Sequence, residues 1–598
     1  MRGNTMTTLI HITHEAHEKM GGIGAVLEGL LTTRAYQSAV DRTLLVGAAE
    51  LPLKEPVRGI AAVLYQTGQT NGDVAALDAA LAEALPRIEA TYGVRLLYGR
   101  RDVPCPLETR HTPAELLLID VRDAKIEPLN QLKRLLWESY TLESNRFEKD
   151  WGYEEWVRLA APAMEAVHAL LGGRTDDAVL ISHEFMGLPT VLAARLRMPE
   201  IRTVYWAHEV PSVRDLLEQQ AAHRTIFHQA IETQSGLRSY AAMLREWGGF
   251  KHALVTRAHR AHRVFAVSDR TAQELHLLSP DFQGVPIDVV YNGLPVRPIT
   301  IEARLQSRAM LRQYVESLVG FRPDFVFTHV ARPVASKAIE RDLAVLDHLD
   351  DILAERGESA VLLLLATDGG QREPALIRQM ETEYGWPVNH RLNWPDLVKG
   401  EIPIGQAAEE YNKWARTTRT LLLNQFGFSR EACGQRVPEG MTLQDLRQGS
   451  DVEFGQSAYE PFGIAQLETL AFGGISVITR VCGCAELLAR VAGEDLPPNV
   501  LIGQYAATGC SPGEPPDPST SRRIEHETAA RLAKELAARL PKTPDDYARL
   551  LDTGWTLAEK MSWQAVCSEY FVPALNRCLG RPSCRPSPEP QDISVPVK

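Results

Sequence analysis

Two carboxylates, Glu460 and Glu468, frame the segment SAYEPFGIAQLE, and both stand where a polar ligand could be met. Pro461 and Gly463 break a preceding run, SDVEFGQ, that reads as a strand. Ile464 through Phe472 then carries apolar Ile464, Leu467, Leu470 and Ala471 at spacings of three and four, which predicts a helix. Glu460 therefore falls in the loop before the helix and Glu468 in its first turns. The amides that open a helix lack intrahelical partners, and the small Gly463 lets Phe462, Gly463 and Ile464 bring theirs against hydroxyl or phosphate oxygens at the positive dipole end. Glu460 would accept from the hydroxyls of a sugar, and Glu468, further along the same face, from a ribose. As bare spacing, the same pair also suits ordinary surface carboxylates on a strand-to-helix turn.

Other segments offer complementary chemistry. HITHEAHEKMGGIGAVL follows a first strand, Thr8 to Ile12, and places Gly21, Gly22 and Gly24 at a strand-to-helix junction, where backbone amides can approach a pyrophosphate and Lys19 can neutralise it. The spacing is not that of the dinucleotide fingerprint, and a flexible turn would use the same residues. In ARPVASKAIERDL, Arg332 directly follows a predicted strand and Lys337 opens a helix, so two cations meet at a strand's C-terminal edge and could stabilise a departing diphosphate. His183 in ISHEFMG and His208 in VYWAHEV end two further strands, and histidines there serve as catalysts or as satisfied structural residues. Thr479 to Glu486, TRVCGCAE, is a candidate second anion loop, while Ser268 reads as a helix cap reaching Thr271 or Ala272.

The elements that must position these residues alternate short apolar runs with amphipathic stretches, the pattern of parallel strands joined by helices. The chain's 598 residues exceed one core and imply two large domains. Expected strands are Thr8 to Ile12, Thr43 to Val46, Glu115 to Ile119, Ala178 to Ser182, Arg202 to Ala207 and Arg263 to Val267, with helices Ile23 to Thr33 and Val74 to Tyr92. VVYNGLP, ending at Pro295, reads as the exit from a first domain, 1–295. A second, 296–555, restarts with helix Ile301 to Ser317 and strand Asp324 to Val330, followed by helix Lys337 to Arg356 and strand Ala360 to Ala366. It carries an insertion near 371–449 around a strand Arg419 to Asn424. Residues 556–579 form a last helix, kinked at Pro573, that crosses back to the first domain, and the Pro- and Ser-rich 580–598 reads as a disordered tail.

Composition excludes several classes. The net charge is 64 minus 76, or −12, and no dense Lys/Arg run is present, so neither nucleic acid nor an anionic membrane is the expected partner. The eight cysteines are scattered, and the close pair Cys482 and Cys484 has no matching second pair for zinc. A reduced, cytoplasmic setting is the expectation. The longest apolar run, Val361 to Ala366, is far short of a membrane span.

The string YEPFGIAQLETLAFGG resembles the signature of retaining nucleotide-sugar glycosyltransferases with the two-domain GT-B architecture, and most of all that of glycogen and starch synthases. Lys19-Met20-Gly21-Gly22-Ile23 resembles their K-x-G-G loop, Arg332 and Lys337 their R-x4-K pair, and Tyr205-Trp206-Ala207-His208 the strand end that presents a histidine to the donor sugar. His183-Glu184-Phe185 resembles a loop on the acceptor side. The resemblance implies an α/β protein of two doubly wound Rossmann-like domains facing a cleft, transferring a hexose, glucose first, from UDP- or ADP-sugar to a sugar or glucan hydroxyl with retention. His208, Glu460, Arg332 and Lys337 would be catalytic. Lys19, Gly21, Gly22, Gly24, His183, Phe462, Gly463, Ile464 and Glu468 would bind substrate, with no metal and no cofactor beyond the donor. Two departures stand out: Ala338 replaces the glycine after the lysine, and Cys484 replaces one of two glycines before Glu486. They keep open a non-hydrolysing sugar-nucleotide epimerase or a non-catalytic sugar-nucleotide-binding protein.

Overall fold

Runs such as TLIHI, AVLISH and AVLLLL, apolar on both sides of the chain, become buried parallel strands because helices cover both faces of their sheets. The structure is a computed structural model, and it describes residues 6–53, 59–68, 77–233, 236–247, 249–493, 496–506 and 517–582. The tail, residues 583–598, and the start of the predicted helix at Val74 lie outside the described residues. The chain divides into two units: Met1–Val213, Arg238–Pro295 and Trp563–Lys598 form the first, and Arg214–Leu237 and Val296–Ser562 the second.

The first unit holds β1 (Thr8–Ile12), β2 (Arg42–Ala48), β3 (Ile60–Gln66), β4 (Arg95–Pro104), β5 (His111–Asp120), β6 (Ala178–His183), β7 (Arg202–Ala207), β8 (Arg263–Ala266) and β9 (Ile287–Val289), in the order β3-β4-β5-β2-β1-β6-β7-β8-β9. The pairs from β5 to β9 are parallel; β3, β4 and β5 form an antiparallel edge. The reading of the sequence missed β3 and β4, since β3 is an edge strand whose residues are almost all half-buried and show no sharp alternation.

The second unit holds β10 (Phe325–Val330), β11 (Ala360–Leu365), β12 (Thr418–Leu423), β13 (Val452–Gly455), β14 (Ile475–Thr479) and β15 (Val500–Gly503), all parallel, in the order β12-β11-β10-β13-β14-β15. This is the doubly wound order third-second-first-fourth-fifth-sixth, whose switch point lies between β10 and β13. Successive strand residues face opposite cores: Phe327, Leu362 and Leu364 pack on one side, Val326, Val361 and Leu363 on the other. The expected insertion supplies helices Pro374–Tyr384 and Glu401–Asn412 and strand β12 itself.

The domain boundaries need two corrections. The first domain is not continuous over 1–295: residues 214–237, with helix Phe227–Thr233, belong to the second unit. The last long helix, Pro544–Lys560, also stays with the second unit, and the first resumes at Trp563. The chain breaks at Met561 and Ser562, and the helical run that restarts at Trp563 passes through a π turn, Cys567–Phe571, directly before Pro573, so the irregularity expected at the proline takes that form. Trp563 locks the returning segment into a slot made by two glycines: a Cβ at Gly29 would come within 2.1 Å of its indole, and one at Gly293 within 2.4 Å of its Cα.

Candidate functional site

In the second unit the site residues gather at the C-terminal edge of β10 and β13. Arg332, just past β10, is exposed, and its side chain makes no hydrogen bond or ion pair among the described residues. Lys337 closes a single 3-10 turn, Ala335–Lys337, before helix Glu340–Arg356. Beyond β13, the amides of Ala458 and Tyr459 donate to the Ser336 carbonyl at 2.8 and 3.2 Å, which ties the two loops together. The result is a direct ion pair: Lys337 Nζ lies 2.5 Å from Glu460 Oε2, with both side chains about 15% exposed (15% and 14%). Gln466 Nε2 donates to the same oxygen at 3.3 Å.

Gly463 has φ +100°, a backbone conformation that L side chains rarely adopt, and a Cβ there would meet Gln466 Oε1 at 2.4 Å. The amides of Gly463 and Ile464 make no hydrogen bonds among the described residues. Phe462 differs: its ring is buried, and its carbonyl accepts from Cys484 N at 2.9 Å. The segment after it is a 3-10 helix, Ala465–Phe472, instead of the expected α-helix. Within it Glu468 pairs with Arg447 at 3.1 Å, and Arg447 also holds the fully buried Glu453 of β13 at 2.7 Å. Arg447 carried no sequence signal, since it lies in the region read as insertion. The proposed TRVCGCAE anion loop is corrected: the amides of Gly483 and Cys484 donate to the carbonyls of Glu460 and Phe462 and are not open to a ligand.

The excursion 214–237 braces these loops. Ser336 Oγ donates to Glu218 Oε1 at 2.8 Å, Arg224 pairs with Glu340 at 3.3 Å, and the His228 ring lies nearly parallel to that of Tyr459.

In the first unit, His183 ends β6 and His208 directly follows β7, so adjacent strands bring them together: His183 Nδ1 lies 2.9 Å from His208 Nε2. Burial pushes the His208 imidazole down to about 3, and that of His183 falls well below its ordinary value for the same reason. Both rings are neutral at physiological pH. Glu184, next to His183, has φ +58°, and its Oε1 accepts the amides of His208 and Glu209, the latter at 2.7 Å. This buried carboxylate fixes the chain at the end of β7. It stands in the quoted HEF motif, but its task was not legible there.

The glycine loop requires a correction. Glu15 Oε2 accepts the amides of Met20 and Gly21 at 2.7 and 2.6 Å, and Lys19 Nζ is spent on Glu28 at 2.7 Å. A Cβ on Gly24 would come within 2.4 Å of Glu15 Oε2, so that glycine accommodates an internal carboxylate. Helix Gly22–Leu31 still begins without a side-chain cap, and Gly22 is exposed, with nothing within 4 Å of the place a Cβ would take. The anion-accepting part of this loop therefore narrows to the first-turn amides at Gly22 and Ile23.

No family model and no curated protein matches the chain. Among solved structures, the catalytic domain of starch synthase IV from Arabidopsis thaliana, bound to ADP and acarbose, is similar over 96% of this chain and 100% of that one, with 12% identity and a TM-score of 0.52. A trehalose-6-phosphate structure from E. coli with UDP-2-fluoro glucose (12% identity, 96% and 99% covered, TM-score 0.48) and the sucrose-phosphate synthase from Thermosynechococcus elongatus (13%, 94% and 96%, 0.46) are also similar. At such identity the starch synthase likeness is one of fold. The chain has the GT-B architecture of two α/β domains, each built on a mainly parallel sheet. No described helix is long and apolar enough to cross a membrane.

Proposed function

We propose that the protein is a retaining glycosyltransferase that moves a hexose, glucose first, from a UDP- or ADP-linked donor to a sugar or glucan hydroxyl in the cytoplasm. The observation that carries this reading is the Lys337–Glu460 pair at the switch point of the second sheet, beside the unpaired amides of Gly463 and Ile464 and the exposed Arg332. Leaving of a nucleoside diphosphate concentrates negative charge on its oxygens. Lys337 and Arg332 stabilise that charge where it develops, and no metal is part of the proposal. Glu460 holds Lys337 in place in the free protein and accepts sugar hydroxyls when the donor is bound. Glu468, oriented by Arg447, meets the ribose.

In the first unit His208 keeps one ring nitrogen for a ligand, whereas His183, expected to bind substrate, is fully buried with both ring nitrogens on His11 and His208 and acts only behind it; Lys19, Gly21, Gly22 and Gly24 belong to a loop whose unpaired amides are at its helix start. The acceptor hydroxyl attacks from the face that the diphosphate leaves. Glu460 acts by positioning and electrostatics, not as a nucleophile. The test is a panel of NDP-sugars with glucose, maltooligosaccharide and glycogen acceptors, read by released NDP and product mass. Release of NDP with an α-linked hexose added to an acceptor is expected. An epimerised donor without acceptor product, or no turnover of any donor that binds, would overturn the reading.

A further inference from the structure

Behind His208 runs a file of polar groups that no step above uses. His183 Nε2 lies 2.9 Å from His11 Nδ1, His11 Nε2 lies 3.1 Å from the Tyr36 hydroxyl, and that hydroxyl lies 2.9 Å from Thr43 Oγ1. The fold builds this alignment. His11 is on β1, between β2, which bears Thr43, and β6, which ends in His183, while β7 leads to His208. Tyr36 enters from helix Arg34–Ala39, its ring stacked on Phe571 at 5.8 Å.

We propose that this file, Thr43–Tyr36–His11–His183–His208, sets the tautomer of His208, so that it offers Nδ1–H to the ligand and never a bare nitrogen, with Tyr36 and His11 as positioning residues. The proposal rests on the transferase reading for its consequence in turnover, but not for its chemistry.

Burial keeps all three rings neutral, so each carries one N–H. Each of His11 and His183 has one nitrogen on either neighbour, so the protons can point only all one way or all the other. Toward His208, Thr43 O–H donates to Tyr36, Tyr36 O–H to His11 Nε2, His11 Nδ1–H to His183 Nε2, and His183 Nδ1–H to His208 Nε2. His208 then carries its proton on Nδ1, which makes no hydrogen bond among the described residues and is left for a ligand. Thr43 is half-exposed and can give its proton to water in either direction, so the choice falls to the phenol: it is a stronger donor and a poorer acceptor than the Thr43 hydroxyl, and an imidazole nitrogen is the better acceptor for its proton, which favours the direction toward His208. The charged and titratable groups beside the file are His14 and Glu15 after β1, Glu184 after β6, Glu209 after β7 and the Cys567 thiol, which burial keeps protonated. Glu184 is already committed to two amides, and His14, lowered chiefly by burial, adds no positive charge at neutral pH.

The test is 15N NMR of histidine-labelled protein at pH 7.5, with the three rings assigned by signal loss in His11→Gln, His183→Gln and His208→Gln. All three should show a protonated Nδ1 and a bare Nε2. Tyr36→Phe keeps the ring and its stack on Phe571 but removes the hydroxyl, and it should abolish the single Nδ1–H form of His208. Thr43→Val removes the acceptor that the reverse direction needs for the Tyr36 hydroxyl, so His208 should stay protonated on Nδ1, and this variant provides the answer if Tyr36→Phe does not fold. Turnover of Tyr36→Phe should fall about tenfold, the worth of roughly one hydrogen bond, with the donor KM within about twofold. A wild-type His208 protonated on Nε2, a tautomer unchanged in Tyr36→Phe, or one moved to Nε2 in Thr43→Val, overturns the proposal whatever the activity. If the protein transfers no sugar, the spectra still decide the file, and the function alone fails.

Discussion

Glu184→Ala is the perturbation whose size the structure states most directly. Glu184 is 4% exposed, and its single oxygen Oε1 accepts two backbone amides, those of His208 and Glu209. Truncation leaves both N–H groups buried without an acceptor, at about 1–3 kcal/mol each, and the bonds lost are to a charged group, at the upper end of that range. Removing the carboxylate also relieves its own burial, which returns part of the loss. The balance is a destabilisation of about 3 kcal/mol, or a fall in melting temperature of roughly 6–12 °C. Glu184→Gln keeps an oxygen at the same place and should lose about 1 kcal/mol. Thermal melts of both variants, with hydrogen exchange at the His208 and Glu209 amides, measure this. If Glu184→Ala melts within about 1 °C of wild type and those amides exchange no faster, the carboxylate does not hold the end of β7.

Lys337→Ala and Glu460→Gln should each lower turnover about a hundredfold, and the double variant should lose less than the sum because the two share one contact. Strict additivity would separate their roles. Glu15→Gln replaces the charged acceptor of the Met20 and Gly21 amides, so donor KM should rise about tenfold if the loop's shape serves the donor; an unchanged KM would make the loop purely structural. Burial lowers His11 from 6.5 to about 3, so between these values the unfolded chain binds the proton and the folded one does not. Stability therefore rises with pH through that window and is flat above it. His11 alone should account for about 2 kcal/mol lost between pH 6.5 and 5, and urea melts of His11→Gln should show a correspondingly shallower slope.

The strands that carry the site were legible because both their faces are buried, which makes them short unbroken apolar runs; β1, β6, β7 and β10 are of this kind. The half-exposed β3, helix Phe227–Thr233 and the 3-10 run after Gly463 were not, since their form is set by neighbours remote in sequence. The same division holds among the site residues. Glu460 and Lys337 announced themselves through a turn and a strand end, and the structure brings them into contact. His11, Glu15, Glu184 and Arg447 work by bonding to groups elsewhere in the fold, and residue type alone does not say which. Glu15 shows how the ambiguity arises: glycines beside a helix start can make room for a ligand's charge or for the chain's own, and here Gly24 does the second.

The two departures from the synthase pattern bear on whether the second unit is a working site or a silent relic. Ala338 replaces a glycine, yet it adopts φ +48°, the left-handed conformation a glycine there would supply. The turn that presents Lys337 is thus built with about 1 kcal/mol of local strain, which the surrounding packing absorbs. Cys484 replaces a second glycine, but its amide is committed to the Phe462 carbonyl and its side chain is fully buried, so the loop bearing Glu460 is tied down by the substituted residue. Decay of a site loosens the contacts that have no structural task. Here the substituted positions keep the backbone geometry around Lys337 and Glu460, and the amides of Gly463 and Ile464, which no residue of the fold requires, remain open beside them. That geometry is the one the proposed donor site requires.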